Sequence, residues 1–258
     1  MKHIHTGVPI LATLISTRNR PELLNRALES VWNQSIKPNI LVLIDDARKE
    51  SGELSLDFDA INAVARQNGI EPILLSNRRS SGLSGACNTG LDELQRRHPA
   101  EQIFVAVLDD DDTWKLNHLE VCLACARERD AHMVISGIIR FDDTHTAGHE
   151  HAIPDSLNVT ALLTSGQHIQ GSNLFLRLDK FLEAGLFSED LNSCTDRDLC
   201  LKLEELGNVR VVSTGVHTVI HNAHGRPDRC STANSPQKLE GLSVFYRKWQ
   251  HRMSPDVK

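Results

Sequence analysis

The strongest constraint on the fold is an alternation of short apolar runs with stretches of helical periodicity through the first half of the chain. Val8–Ser16 (VPILATLIS), Asn39–Ile44 (NILVLI), Glu71–Ser76 (EPILLS) and Gln102–Leu108 (QIFVAVL) have the length and content of buried strands. Between the first two, Pro21 suits a first helical turn with Asn19 or Arg20 near the cap, and Leu23, Leu24, Ala27, Leu28 and Val31 recur at helical spacing. Residues 58–68, Ser84–Leu94 and Leu116–Arg129 read as further helices, the second preceded by the glycine-bearing loop Ser80-Ser81-Gly82. This β-α-β-α-β-α-β order predicts an α/β chain whose central, mostly parallel sheet carries helices on both faces. Ligands of such sheets bind beyond the carboxyl ends of the strands. Three polar clusters fall at those ends: Ser16-Thr17-Arg18-Asn19, Asp45-Asp46 and Asp109–Asp112.

The second half follows a different plan. Strands are expected at Ala131–Phe141, near Ser172–Leu178 and at Val209–Ser213. Helices are expected at Lys180–Ala184 and Asp196–Leu206, ended by Gly185 and Gly207. Asp142–Pro154 is a polar loop with His145, His149 and His151, in which metal binding is the minor reading. His221–Pro236 is rich in turn formers, and Leu239–Trp249 closes the chain as an amphipathic helix. Its Leu242, Phe245, Tyr246 and Trp249, beside Arg247 and Lys248, allow peripheral contact with a membrane surface, although core packing explains the same face more simply.

Composition narrows the function. A net charge of −6 argues against nucleic-acid binding through bulk positive charge. Val8–Ile15, broken by Pro9 and Thr13, falls short of the roughly 20 apolar residues a spanning helix needs. Cysteines 87, 122, 125, 194, 200 and 230 accompany no secretory signal and are read as reduced thiols of a cytoplasmic protein. Cys122-x-x-Cys125 lacks two further zinc ligands nearby and suits packing on one helix face.

The acidic run Asp109–Asp112 is the sharpest chemical signal. Carboxylates crowded at a strand end raise one another's pKa unless a cation sits among them. A hard divalent ion takes one or two carboxylates together with waters and phosphate oxygens. The competing reading is a solvated acidic turn leading into a helix, with Asp112 at the helix start.

These segments resemble, in order, the family 2 glycosyltransferases. LISTRNRPELLNRALESVWNQS is similar to the family's first strand, turn and helix; ILVLIDD to its second strand with a terminal Asp pair; GLSGACNTGLDEL to its third helix; FVAVLDDDDTWKLNHLE to its Asp-x-Asp segment; and GSNLFLRLDKFLEAGLFSEDLNSCTDRDLCLKLEELG to its acceptor-side region. The resemblance covers residues 8–225 and implies the GT-A fold, a Rossmann-like α/β sheet with a smaller acceptor-side region. Residues 1–125 would be the nucleotide-sugar-binding half, 126–220 the acceptor-side half, and 221–258 a polar lid loop and C-terminal helix of one domain.

The resemblance also implies roles. Asp46 matches the residue that binds the donor base, commonly uracil, and Ser16 and Arg18 flank the nucleotide. Asp109 and Asp111 match the metal-binding Asp-x-Asp pair, for Mn²⁺ or Mg²⁺, and Asp110 a ribose-side position. Asp196 in SCTDRDL occupies the place of the catalytic base, with helix-dipole stabilisation as its bland alternative; Asp198 faces elsewhere. His221 or His224 would add a metal ligand, and Arg226 and Arg229 a lid contact to the diphosphate. The expected activity is transfer of a sugar from a nucleoside diphosphate, UDP favoured, to a hydroxyl of a carbohydrate, lipid-linked or protein acceptor, with inversion. The chain departs from the family pattern at Arg18, where an aromatic residue is common, at Cys87, where arginine is usual, and at Leu116-Asn117, which replaces Pro-Asp. A sugar-1-phosphate nucleotidyltransferase is disfavoured because STRNRPE has no glycine to cradle a triphosphate. A receiver-type signalling domain is disfavoured by length, and a catalytically inactive nucleotide-sugar-binding module remains the other alternative.

Overall fold

The first strand, β1 (Ile10–Thr17), illustrates how the sheet is built. Its side chains alternate between two cores: Ala12 and Leu14 enter one, Leu11 and Ile15 the other. The computed structural model describes residues 9–47, 56–224 and 235–254; Val8, Arg226, Arg229 and Cys230 lie outside them. After β1 come α1 (Pro21–Trp32), β2 (Ile40–Asp45), α2 (Phe58–Gln67), β3 (Glu71–Ser76), α3 (Leu83–Arg97) and β4 (Ile103–Asp109). The four strands lie in the order β3-β2-β1-β4, all parallel. On β2 and β4 the same alternation holds: Val42 and Val105 face one core, Leu43 and Phe104 the other. Full burial of each such side chain stabilises the fold by about 1.5–3 kcal/mol. Helices α1 and α2 cover one face, while α3 covers the opposite face through Ala86, Cys87, Leu91 and Leu94.

Register brings the strand ends together. Thr17 pairs with Asp45, and Ser16 pairs with Asp109. The three polar clusters therefore share one edge of the sheet, as expected for ligand binding at carboxyl ends.

Beyond the acidic run lie β5 (Thr113–Trp114), α4 (His118–Glu128), β6 (Met133–Phe141), β7 (His149–Glu150), α5 (Val159–Thr164), β8 (Leu174–Arg177), α6 (Leu178–Glu183), α7 (Thr195–Glu205), β9 (Val211–Asn222) and α8 (Pro236–Trp249). The sheet continues β4-β8-β6-β9-β5, with β7 on β6. Here the pairing is mixed: β8 runs antiparallel to both β4 and β6, whereas β6 and β9 are parallel.

Two local expectations are corrected. Asp112 does not start a helix: it is buried before β5, and α4 begins at His118. Strand β9 runs to Asn222 rather than stopping near Ser213. An irregularity opposite Ile135–Ile138, with Gly215 at φ +71°, breaks the alternation that would have marked one long strand. Helix α8 buries Phe245 and Trp249, so most of the apolar face considered for a membrane surface belongs to the core. Cys122 and Cys125 are likewise packed inside on α4.

Candidate functional site

A cavity of about 670 Å³ opens along the shared carboxyl edge. Its walls include Ser16, Arg18, Asp46, Asp109, Asp110, Asp111, Asp196 and His221. Of the residues singled out from the sequence, only His224 among the described ones stands apart. It is exposed, with Nδ1 3.1 Å from Asp143.

Asp46 follows β2, and its backbone N–H donates to the Thr17 carbonyl at 2.8 Å. Its buried carboxylate is held on both sides. Asn77 Nδ2 donates to Oδ1 at 2.6 Å, and the Gly82 N–H donates to Oδ2 at 2.8 Å. Ser81 Oγ is 3.4 Å from Oδ2 and also 3.4 Å from the Arg18 guanidinium. Gly82 has φ +114°, a conformation that side-chain-bearing residues avoid. The loop before α3 is thus bent to present an N–H to Asp46. Ser16 Oγ contacts Cys87 Sγ at 3.9 Å, so buried Cys87 packs against the carboxyl end of β1.

The acidic run is divided by its partners. Asp110 is buried, accepts from Thr17 Oγ1 at 2.6 Å and lies 3.2 Å from Arg20 Nε. Arg20 stands at the start of α1, and its Nη1 is 3.8 Å from Asp111. Asp112 is buried and does not line the cavity. It accepts from Ser172 Oγ at 2.7 Å and from the Asn222 N–H at 3.1 Å, and His221 Nδ1 lies 3.1 Å from both of its oxygens. Asn222 Nδ2 also bonds the Asp111 carbonyl at 3.0 Å, and Trp114 Nε1 the Ser172 carbonyl at 2.8 Å. The end of β9 and the Ser172 turn therefore clamp the run in shape.

Asp109 carries the electrostatic load. Burial pushes its carboxyl well above the ordinary carboxylate range, and Asp112, Asp196, Asp111 and Asp110 push it further. A Cβ on Gly171 would lie 2.8 Å from Asp109 Oδ1, so the backbone approaches this carboxylate as closely as glycine alone allows. Among the described residues no three His, Cys, Asp or Glu side chains already converge as a cage. A buried acid in a field of like charges nevertheless fits a divalent cation that takes one or two carboxylates and completes its shell with phosphate and water. Ring orientation by a carboxylate, as Asp112 provides for His221, is the arrangement found around histidines that bind metals.

Asp196, close enough to Asp109 to raise that acid's pKa, lines the same cavity from the first turn of α7. Cys194 precedes it at φ +64°, an uncommon conformation for a residue bearing a side chain. Burial pushes the Asp196 carboxyl up to about 7, against the lowering from the N–H groups of Gly171 and Asp196 itself. Its Oδ1 is shut off from solvent and has no hydrogen-bond partner among the described residues. Asp198, two residues on, faces away and anchors α8 through Trp249 Nε1 at 2.9 Å and Lys248 Nζ at 2.6 Å.

Glu189 lines the same cavity. Burial raises its pKa, but donors from Ser80, Asn88 and Arg79 outweigh that and hold it at about 2. Carboxylates of one cavity whose environments push their pKa values apart, as Glu189 and Asp196 are, differ in which can exchange a proton near neutral pH. Neither Glu189 nor Arg20 was marked by spacing in the sequence. Their partners lie far away along the chain, at Ser80 and Asp110.

Comparison with known proteins adds independent findings. Residues 13–183 match the family described as Glycosyl transferase family 2. The Escherichia coli (strain K12) protein named as a colanic acid biosynthesis glycosyl transferase, WcaA, is 26% identical over 93% of this chain and 81% of its own length. The Campylobacter jejuni GalNAc(5)-diNAcBac-PP-undecaprenol beta-1,3-glucosyltransferase is 30% identical over 49% of this chain, and the match spans only 37% of that protein. A crystal structure of S. aureus TarS residues 1–349 in complex with UDP-GlcNAc superposes with a TM-score of 0.63 at 16% identity, covering 88% of this chain and 62% of that one.

Proposed function

The chain belongs to glycosyl transferase family 2, and from that premise we propose that it moves a sugar from a UDP-sugar to an acceptor hydroxyl with inversion at the anomeric carbon. The observation that carries the reading is the placement of Asp46, Asp109, Asp111 and Asp196 around one cavity, with the Asp196 carboxyl pushed up to about 7 by burial. A UDP donor is supported by the UDP-GlcNAc complex of TarS, a neighbour in fold. A lipid-linked acceptor is consistent with the name of the Campylobacter relative. No described helix is long and apolar enough to cross a membrane.

In this reading the fixed carboxylate of Asp46 accepts the N–H of the uracil base. Asp110, held by Thr17 and Arg20, faces the ribose. Asp196 takes the proton of the acceptor hydroxyl while that oxygen bonds to the anomeric carbon and the bond from that carbon to the diphosphate breaks. Mg²⁺ or Mn²⁺, when bound, stabilises the negative charge that gathers on the leaving diphosphate. Asp109 and Asp111 are the residues that would hold it, with His221 as a further ligand.

The test is release of UDP from a panel of UDP-sugars, with and without Mn²⁺, in wild type and Asp111→Ala. Mn²⁺-dependent release lost in the variant supports the reading. Nucleotide binding without turnover of any donor would instead make this chain a binding module.

A further inference from the structure

Glu189 stands where the nucleotide side of the cavity meets the wall that bears Asp196. Its carboxylate is fully engaged. Oε1 accepts from Arg79 Nη1 at 2.8 Å and from Asn88 Nδ2 at 2.9 Å. Oε2 accepts from Ser80 Oγ at 2.6 Å and from the Ser80 N–H at 3.2 Å. Four donors occupy the roughly four lone-pair sites of a carboxylate. Nothing remains with which to take a proton from a substrate.

Its partners lead in two directions. Ser80 belongs to the loop that holds Asp46: Asn77 Nδ2 bonds the Ser80 carbonyl at 2.7 Å and Asp46 at 2.6 Å, and Ser81 and Gly82 complete the grip on Asp46. Thr89 Oγ1 donates to Asn77 Oδ1 at 2.9 Å and ties that loop to α3. In the other direction, Asn88 on α3 bonds both backbone atoms of Phe187. It accepts the Phe187 N–H at 3.0 Å and donates to the Phe187 carbonyl at 2.9 Å. From Glu189 the chain runs along the cavity to Asp196. Glu189 is thus bonded both to the Asp46 loop and to the helix that fixes Phe187.

We propose that Glu189 is a positioning residue that sets the register between the loop holding Asp46 and the cavity wall ending in Asp196, so that donor and base keep a fixed spacing. The assignment rests on the donor and base roles proposed above. It explains why a charged side chain is placed in the cavity yet shielded from chemistry. The loop is also packed closely on α3, since a Cβ on Gly85 would lie 1.9 Å from the Ser80 carbonyl oxygen.

Glu189→Gln preserves shape and replaces one acceptor oxygen with a donor that faces donors. The first measurement needs no ligand: hydrogen–deuterium exchange of the backbone amides at 77–82 and at 190–196. Both segments are expected to exchange faster together; acceleration of one alone, or of neither, overturns the coupling. The second measurement is donor binding and turnover. UDP affinity should fall roughly ten- to a hundredfold, the scale for hydrogen bonds to a charged group. Turnover should fall as well while the pH dependence of transfer keeps its wild-type shape. Residual turnover that no longer depends on pH would make Glu189 the base and overturn the proposal. Adding Ser80→Ala to Glu189→Gln should cost little more, because the two act as a unit; full additivity of the two losses would also overturn it. A wild type that binds no UDP sinks the donor reading, and the exchange experiment then decides the coupling by itself.

Discussion

His221 Nδ1 lies 3.1 Å from both carboxylate oxygens of Asp112, the one member of the acidic run that does not line the cavity. The pair joins the end of β9 to the start of β5 and turns a stretch of acids into a shaped edge. Removing Asp112 strips partners from Ser172 Oγ, the Asn222 N–H and His221 at once. Asp112→Ala is therefore expected to destabilise the fold by about 1–3 kcal/mol, the cost of leaving buried hydrogen-bonding groups unsatisfied. Urea unfolding of metal-free protein measures it, and a loss below 1 kcal/mol would show that the clamp is dispensable.

His221→Ala tests the other member of the pair. If the ring is a ligand oriented by Asp112, Mn²⁺ activation should need roughly 10–100 times more metal. His224→Ala, which removes an exposed side chain paired only with Asp143 among the contacts described, should leave the Mn²⁺ titration unchanged. A shift for His224→Ala and none for His221→Ala would reverse the assignment.

Asp196→Asn should separate catalysis from stability. The folded carboxyl titrates near 7, above the ordinary carboxylate range. Folding is therefore favoured most when this group is protonated, and its contribution is lost as pH rises from about 4 to 7. Asparagine removes that loss, so metal-free Asp196→Asn should melt higher than wild type at pH 8 and near it at pH 4. Transfer runs the other way: the base must be unprotonated, so wild-type kcat/KM should climb with pH through about 7. The variant should keep UDP affinity and lose transfer. Lost UDP binding would assign Asp196 a structural role.

Gly171→Ala probes the close approach to Asp109. The added methyl would meet Oδ1 at 2.8 Å and displace an acid that burial and four other carboxylates hold above the ordinary range. Strain of this kind typically costs about 1–3 kcal/mol. The expected result is a lower melting temperature together with weakened Mn²⁺ activation. Unchanged Mn²⁺ titration would place Asp109 outside the metal's reach.

The parallel half of the fold was legible because each strand feeds two cores by strict alternation, as Leu14 and Ile15 do on β1, and each helix keeps one apolar face. The strand ends named the site for the same reason: Ser16, Asp46 and Asp109 sit where apolar runs stop. The rest depended on distant pairings. Two-residue strands such as β5 have no periodicity to detect. The continuation of β9 to His221 was hidden by Gly215 and by polar residues that find partners only after folding, among them Thr218, whose Oγ1 lies 2.7 Å from buried His118. Glu189 looked like part of an ordinary polar loop until Ser80 and Asn88 were brought against it.

Asp198 is the sharpest control for the assignment of Asp196, because the two acids share one helical turn and opposite fates. Asp198 is fully buried, and burial alone would raise its pKa. Lys248, Ser188 and Trp249 outweigh burial and hold it below the ordinary range, with Lys202 adding to them. Its stabilising contribution is present above the unfolded carboxylate pKa and is lost as pH falls through the lowered folded value. Asp198→Asn should therefore lower stability at neutral pH, and the difference from wild type should shrink toward acid. Trp249 Nε1 and Lys248 lose a charged acceptor, so α8 should detach first, visible as a red shift of tryptophan emission before global unfolding. Near its melting range the variant loses activity through unfolding; well below it, the folded fraction should retain turnover and its pH dependence. Selective loss of turnover in fully folded Asp198→Asn, with Asp196→Asn still active, would exchange the roles of the two residues.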